Sequence, residues 1–94
     1  MARFLIDGEI VEREADKISQ EDICPADFQR FADSLEEGEE VEIWLNSLGG
    51  DVFAGLRICS LISHLRSEGH HSTAVVTSIA ASIASVIACA CDKI

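Results

Sequence analysis

Residues 41–62 read VEIWLNSLGGDVFAGLRICSLI, and this stretch contains the strongest signals of secondary structure in the chain. The alternation over residues 41–45 is typical of a strand that enters a core. A glycine turn follows at residues 49–50, and apolar residues at helical spacing then predict a helix over about residues 51–66. We expect the buried side of that helix to consist of Val52, Leu56, Cys59, Ile62 and Leu65. The stretch therefore predicts a strand, a glycine turn and a helix.

A second strand and helix follow in the same order. Residues 73–77 predict the strand, and residues 81–91 predict a helix rich in small side chains. We expect one side of that last helix to present Ile79, Ile83, Ile87 and Ala90. Strand, helix, strand, helix is a βαβ pattern, which predicts an α/β fold with a parallel sheet and a right-handed crossover.

The first forty residues contain weaker signals. Residues 4–6 and 10–11 flank Asp7-Gly8 and predict a short strand or a hairpin. Pro25 suits a first helical turn, so we expect a helix over residues 25–37. The apolar stripe of that helix consists of Phe28, Phe31 and Leu35. No repeat or linker divides the chain, which indicates a single domain over residues 1–94.

Ser82 is the residue with the clearest potential for chemistry. It opens a helix directly after an apolar strand, where backbone N–H groups can stabilise an oxyanion. Ligand sites in parallel sheets gather at the carboxyl ends of the strands, so we expect Ser82 to meet the Gly49-Gly50 turn there. Ser85 is the nearest competitor on the same helical face, and we expect it to serve packing. Ser47 and Ser78 are better interpreted as turn or strand-end residues.

Together these segments resemble the proteolytic subunit of Clp protease, and more closely the Clp-like head-maturation proteases of phages and prophages. The stretch 43–62 is similar to that family's strand, Asn-Ser-Pro-Gly-Gly turn and helix, and SIAASIASVIACACD (78–92) is similar to its nucleophile helix. Leu48 stands where the family usually has proline. By position, the resemblance implies that Ser82 is the nucleophile, that the N–H groups of Gly50 and Ile83 form the oxyanion hole, and that Gly49 supports the turn.

The resemblance also carries implications for the whole molecule. It implies a Clp protease and crotonase-like α/β fold with a mostly parallel sheet, of which this chain is an incomplete N-terminal portion. It implies a serine endopeptidase that hydrolyses peptide bonds through an acyl-enzyme, requires no cofactor or metal, and acts on peptide or protein substrates as a homo-oligomer. The partner would be an unfoldase or a capsid or scaffold protein. An unfoldase would consume the ATP, because this chain has no P-loop.

The catalytic base is the main departure from that pattern. A serine hydroxyl needs a base and a group that orients the base. In the family the histidine and aspartate follow the nucleophile at a distance, and no residue of this chain matches either position. We therefore expect residues 1–94 alone to be inactive, with the base located beyond Ile94.

Local candidates for the base do not fit. His70 and His71 are expected in an exposed loop at the far end of the strand that leads to Ser82, and His64 is expected on a helix surface. The only lysines are Lys17 and Lys93, and neither fits the pattern of a serine-lysine pair.

Two alternatives remain open. The first is a non-catalytic scaffold or oligomerisation module that keeps the fold without a complete triad. The second, weaker alternative is an acyl-CoA-handling relative of the crotonase type, which shares the architecture and the paired oxyanion donors. Whether the reading frame continues to a histidine and an aspartate would separate the protease from the scaffold.

Composition argues against several functions. The net charge is −10, from 17 acidic and 7 basic side chains, so binding to nucleic acid is disfavoured. Residues 72–91 are uncharged, but only six of the twenty are large aliphatics, which argues against a membrane span. The four cysteines at 24, 59, 89 and 91 form no CxxC pair and indicate reduced thiols in a cytoplasm. Cys89 and Cys91 are two residues apart on a helix and point to different faces, which argues against a metal site.

Overall fold

The computed structural model describes all residues 1–94. Its three strands are β1 (Ala2–Ile6), β2 (Val41–Ser47) and β3 (Ser72–Ala80), and its three helices are α1 (Pro25–Asp33), α2 (Val52–Ser67) and α3 (Ile83–Ala90). One 3-10 turn spans Glu14–Asp16. The strands form one parallel sheet in the order β1-β2-β3, which confirms the expected α/β architecture. None of the helices is both long enough and apolar enough to cross a bilayer.

The core lies on one face of the sheet. Val41, Ile43 and Leu45 are buried in a single apolar cluster with residues of all three helices. The alternate residues Glu42 and Trp44 are only half-buried on the other face, where the indole Nε1–H donates to the Glu42 carboxylate at 3.0 Å. The alternation over residues 41–45 therefore separates the two faces of the central strand.

The N-terminal segment forms a strand and no hairpin. β1 pairs with β2 in parallel, from Ala2 beside Val41 to Ile6 beside Leu45. After β1 the chain turns at Gly8, where an added Cβ would lie 2.6 Å from the Glu21 carbonyl carbon. This close backbone approach directs the following residues away from β1, so the predicted hairpin alternative is wrong.

Helix α1 begins at Pro25, as predicted, but ends at Asp33 instead of residue 37. At its start the Asp27 carboxylate accepts the Cys24 N–H at 3.0 Å. At its end the Ser34 hydroxyl donates to the Phe31 carbonyl at 2.7 Å and competes with further helical hydrogen bonds. The rings of Phe4, Phe28 and Phe31 then pack together with centroids 5.1 to 5.6 Å apart and anchor α1 to β1.

Helix α2 buries a different face from the one predicted. Ile62 and Leu65 are buried as expected, whereas Val52 and Leu56 are exposed. The cause is Gly55, where an added Cβ would lie 2.1 Å from Cγ1 of Ile83. α3 therefore packs against the small residues of α2, and the inward residues are Ala54, Gly55, Ile58, Ile62 and Leu65.

The last strand is longer than predicted. β3 continues to Ala80, so Ile79 belongs to the strand, where it is 42 % exposed, and not to the buried side of α3. α3 correspondingly begins at Ile83, two residues later than expected, and it buries Ile83, Ala84, Ile87 and Ala88.

Candidate functional site

A register shift between β2 and β3 brings the two sequence motifs together. Leu45 pairs with Val76, but Ser47 pairs with Ala80, so β3 advances four residues while β2 advances two. The extra residues form a bulge that displaces the end of β3. The Ala81 N–H then donates to the Ser47 carbonyl at 3.0 Å. The end of β3 is thereby tied to the start of the glycine turn.

Ser82 occupies a strained backbone position between β3 and α3. Its φ is 54° and its ψ is −131°, and no other non-glycine residue of the chain has a positive φ. A conformation of this kind costs of order 1–3 kcal/mol and clusters at functional sites. The side chain is exposed, and its hydroxyl makes no hydrogen bond within the protein. The strained turn therefore presents a free hydroxyl at the surface.

Gly49 lies directly against Ser82. A Cβ at Gly49 would lie 2.8 Å from the Ser82 Cβ and 3.3 Å from its Oγ. Gly49 has a φ of 110° and Gly50 a φ of 144°, which disfavours any side chain at either position. The expectation that the glycine turn meets Ser82 is confirmed.

Gly50 is held by a residue that the sequence did not single out. The Ile10 N–H donates to the Gly49 carbonyl at 2.9 Å, and the Ile10 carbonyl accepts the Asp51 N–H at 2.8 Å. Ile10 thus bonds to the residues on either side of Gly50. In a parallel bridge of this kind, the N–H and C=O of Gly50 itself point away from Ile10. The Gly50 N–H accordingly finds no acceptor within the protein. It is a free donor held in place by its neighbours.

Ile83 is the first residue of α3, so its N–H has no acceptor within the helix. The next two N–H groups fold back in the first turn, from Ala84 to the Ala81 carbonyl and from Ser85 to the Ser82 carbonyl, both at 3.0 Å. The Ser85 hydroxyl also donates to the Ser82 carbonyl, at 2.6 Å. Ser85 is therefore engaged in the turn, whereas the Ser82 hydroxyl is not.

The glycine turn is fixed without a proline at position 48. Leu48 is 75 % exposed and contributes little packing. The buried Ser47 hydroxyl instead donates to the Gly8 carbonyl at 2.7 Å and accepts the Gly49 N–H at 3.1 Å. Ser47 is thus the last residue of β2, which agrees with its interpretation as a turn or strand-end residue, and it connects the turn to the loop after β1.

An open cavity of about 610 Å³ lies over the glycine turn. Its floor includes Gly49 and Gly50, and Ile79 lines one side. The exposed residues Asp7 and Glu9 line another side, and neither carboxylate takes part in an ion pair. The cavity therefore borders the glycine turn, whereas Ser82 and Ile83 are not among the residues that line it.

No histidine reaches Ser82 in these 94 residues. His64 is on the surface of α2, as expected, and its Nε2 lies 3.5 Å from the Glu68 Oε1. His70 and His71 precede β3 and therefore lie at the opposite end of that strand from Ser82, also as expected. The expectation that both are exposed is wrong for His70, which is buried with its Nδ1 2.8 Å from the Glu39 carbonyl. That contact holds the loop before β3 against the start of β2.

One group of metal-ligating atoms lies elsewhere, at Glu14, Cys24 and Asp27, within 4.8 Å of one another. Lys17 already supplies a cation to this group, with its ammonium 2.7 Å from Asp27 and 3.0 Å from Glu14. Hydrogen bonds to those two carboxylates raise the pKa of Lys17 above its usual value. The cluster is accordingly an ion-pair network that fastens the 3-10 turn to α1.

Comparison with known proteins gives one consistent family. The Clp protease family profile matches residues 6–94. ATP-dependent Clp protease proteolytic subunits of two Bacteroides fragilis strains are 37% identical over 57 residues, which is 61% of this chain and 26% and 24% of those two proteins. The matched part thus spans about a quarter of the curated relatives.

A solved structure agrees with the sequence matches. A ClpP1 mutant from Listeria monocytogenes superimposes with a TM-score of 0.70 and 25% identity, covering 95% of this chain and 46% of that protein. The shared fold extends over nearly the whole of this chain. The family match and the structural match together show that this chain belongs to the Clp protease family.

Proposed function

We propose that this chain carries the nucleophile and the oxyanion hole of a Clp-like serine endopeptidase. The observation that carries the proposal is the strained turn at Ser82, whose hydroxyl is exposed, unbonded and next to Gly49. Backbone strain persists only where the surrounding structure enforces it, and it is common at catalytic residues. Membership of the Clp protease family supports the same assignment.

In the proposed mechanism the Ser82 Oγ attacks the carbonyl carbon of a peptide bond. Its proton passes to a histidine supplied by sequence after Ile94, and that histidine is oriented by an aspartate. The carbonyl oxygen becomes an oxyanion that accepts hydrogen bonds from the N–H groups of Gly50 and Ile83. Neither N–H donates to another backbone group of the chain. The C–N bond then breaks as the histidine protonates the amine, and water hydrolyses the resulting ester. No cofactor or metal takes part.

The substrate is a peptide or protein, and we propose phage or prophage head maturation as the setting, with capsid or scaffold proteins as partners. The alternative partner is an ATP-consuming unfoldase, and the Bacteroides relatives are named proteolytic subunits of an ATP-dependent protease. The four free cysteines support a reducing, cytoplasmic location. The exposed apolar residues Val52, Phe53 and Leu56 of α2 support self-association into a homo-oligomer.

A fluorophosphonate probe tests the nucleophile. The 94-residue chain and the longest natural reading frame that contains it are treated with the probe, and the adduct is located by mass spectrometry. We expect an adduct at Ser82 in the long form only, and none in its Ser82→Ala variant. Ser85→Ala is the matched control, because it removes a serine hydroxyl three residues away, in α3, and should leave labelling intact.

The second candidate is a non-catalytic scaffold or oligomerisation module. The observation that favours it is the group of exposed apolar side chains on α2, at Val52, Phe53 and Leu56, which suits an oligomerisation surface. It predicts that the longest reading frame gives no adduct at Ser82, while sedimentation still shows a defined oligomer. Absence of labelling in both forms would therefore favour the scaffold over the protease.

A further inference from the structure

We propose that Asp22 is a positioning residue for the oxyanion hole, because it holds the loop that brackets Gly50. The inference rests on the proposed function, in which the Gly50 N–H stabilises the oxyanion. Asp22 is outside the glycine turn and the nucleophile helix, and no sequence motif marked it as part of the site. Its role follows from a series of backbone hydrogen bonds that leads from the Asp22 carboxylate, through Glu9, to Ile10 beside Gly50.

Asp22 is a buried carboxylate, 8 % exposed, whose two oxygens accept three backbone N–H groups. Oδ2 accepts from Ile18 at 2.9 Å and Ser19 at 3.1 Å, and Oδ1 accepts from Glu9 at 3.0 Å. The N–H groups of Ile18, Ser19 and Glu9 hold the pKa of Asp22 below its usual range. The group is therefore ionised at neutral pH and joins residues 18–19 to the loop after β1.

The connection continues from Glu9 to Gly50 through Ile10. The Ile23 N–H donates to the Glu9 carbonyl at 3.0 Å, and the Val11 N–H donates to the Ile23 carbonyl at 2.8 Å. This pairing places the backbone of Ile10 with its N–H and C=O facing the glycine turn. Both of those groups bond on either side of Gly50. The orientation of the Gly50 N–H thus depends on a loop that Asp22 anchors.

Close contacts leave this loop little freedom to shift. A Cβ at Gly50 would lie 2.2 Å from the Ile10 carbonyl oxygen, and a Cβ at Gly8 would lie 2.6 Å from the Glu21 carbonyl carbon. The Ser47 hydroxyl joins the Gly8 carbonyl to the turn from the other side. Backbone therefore packs on backbone from residue 21 to residue 50. A small movement of the loop at Asp22 is transmitted to the donor.

The substitution Asp22→Asn tests this role. An amide side chain has one acceptor oxygen, so it cannot accept both the Glu9 N–H and the Ile18 and Ser19 N–H groups. Asp16→Asn is the matched control, because the exposed Asp16 carboxylate accepts only from Arg13 within its own turn. Both variants are made in the longest natural reading frame.

Kinetics and hydrogen exchange together separate positioning from a general structural role. Removing an oxyanion donor typically lowers kcat by about 10²–10³, so we expect misalignment in Asp22→Asn to lower kcat and the rate of fluorophosphonate labelling by roughly 10- to 100-fold. KM should stay within about twofold, because the donor acts mainly in the transition state. Hydrogen exchange should accelerate at the Ile10 and Asp51 amides of Asp22→Asn. Asp16→Asn should keep the wild-type kcat, labelling rate and hydrogen exchange.

The outcomes distinguish this inference from the proposed function. The positioning role alone is overturned if the wild type labels at Ser82 but Asp22→Asn and Asp16→Asn have the same labelling rate and the same hydrogen exchange. A rise in KM at unchanged kcat also overturns it, since that indicates substrate binding. No labelling of wild type overturns the proposed function and the positioning role with it. If Asp22→Asn does not fold, Asp22→Glu, which keeps the charge but displaces the carboxylate, replaces it with the same expected split.

Discussion

The Cα of Gly49 lies so close to Ser82 that a Cβ at position 49 would stand 2.8 Å from the serine Cβ. That distance is shorter than two non-bonded carbons tolerate, so the position of the Ser82 side chain requires glycine at position 49. The pair joins the turn after β2 to the turn before α3. Each motif is therefore shaped by the other, although Gly49 and Ser82 are thirty-three positions apart in the sequence.

Gly49→Ala should destabilise the protein and misplace Ser82. The positive φ alone costs of order 1–3 kcal/mol for a non-glycine residue, and the contact with Ser82 adds to it. Gly38→Ala is the matched control, since Gly38 also has a positive φ but an added Cβ there meets nothing within 4 Å. Urea unfolding should show a clearly larger loss for Gly49→Ala. If Gly49→Ala and Gly38→Ala lose the same free energy of unfolding, the close contact with Ser82 adds no energetic cost.

Replacing Ser82 should separate stability from reactivity. Ser82→Gly relieves the backbone strain and should raise the free energy of unfolding by about 1 kcal/mol relative to Ser82→Ala, which keeps the strain. Both variants should fail to react with the fluorophosphonate probe. Thermal unfolding of the two variants provides the comparison. A glycine variant no more stable than the alanine variant would argue against strain at this residue.

Acid should destabilise the fold through Asp22 and Asp92. The Ser72 N–H, assisted by Arg66, holds the pKa of Asp92 below its usual range, as backbone N–H groups do for Asp22. A carboxylate with a lowered pKa in the folded state contributes stability above its unfolded pKa of about 3.9, and the contribution is lost as the pH falls through the folded value. The free energy of unfolding should therefore decline below about pH 4.

Urea titrations between pH 2 and pH 7 test the assignment. Asp22→Asn and Asp92→Asn should each flatten the decline, because the substituted side chain no longer binds a proton. Glu37→Gln is the control, since the exposed Glu37 makes no hydrogen bond in the structure. If the free energy of unfolding declines at low pH in both Asp variants as it does in the wild type, other groups cause the pH dependence.

The cysteines should differ strongly in reactivity. Burial raises the pKa of the Cys91 thiol to about 11, whereas Cys89 is exposed. The thiolate is the reactive form, so iodoacetamide near pH 8 should modify Cys91 about 100-fold more slowly than an exposed thiol with an ordinary pKa. Mass spectrometry of the alkylated protein should find Cys89 modified first, and denaturation should remove the difference. Rapid alkylation of Cys91 in the folded protein would contradict its burial at the C-terminal end of α3.

Gly55→Ala should disturb the contact between α2 and α3. The added Cβ would lie 2.1 Å from Cγ1 of Ile83, and overpacking of this kind costs about 1–3 kcal/mol. The double variant with Ile83→Ala should recover part of that loss if the two side chains compete for one space. A double-mutant cycle measured by urea unfolding gives the coupling between them. Additive losses would show that the helices separate instead.

The local sequence was sufficient to identify most elements. The period of the apolar residues, Pro25 and the paired glycines are local signals, and they predicted both βαβ strands, the start of α1 and the turn at residues 49–50. They failed where a distant contact decides the outcome. α2 turns its small residues inward because α3 packs on Gly55, and no periodicity in α2 alone encodes the position of its neighbour.

Residues adjacent in the chain specify the order of the elements, the serine before the last helix and the glycine turn, so these features follow from the sequence alone. The tertiary structure alone decided the bulge that joins Ala81 to Ser47, the positive φ of Ser82 and the bracketing of Gly50 by Ile10. Those features arise from hydrogen bonds and close backbone contacts between segments up to forty residues apart. Such contacts form only when the whole sheet is assembled, and no local pattern specifies them.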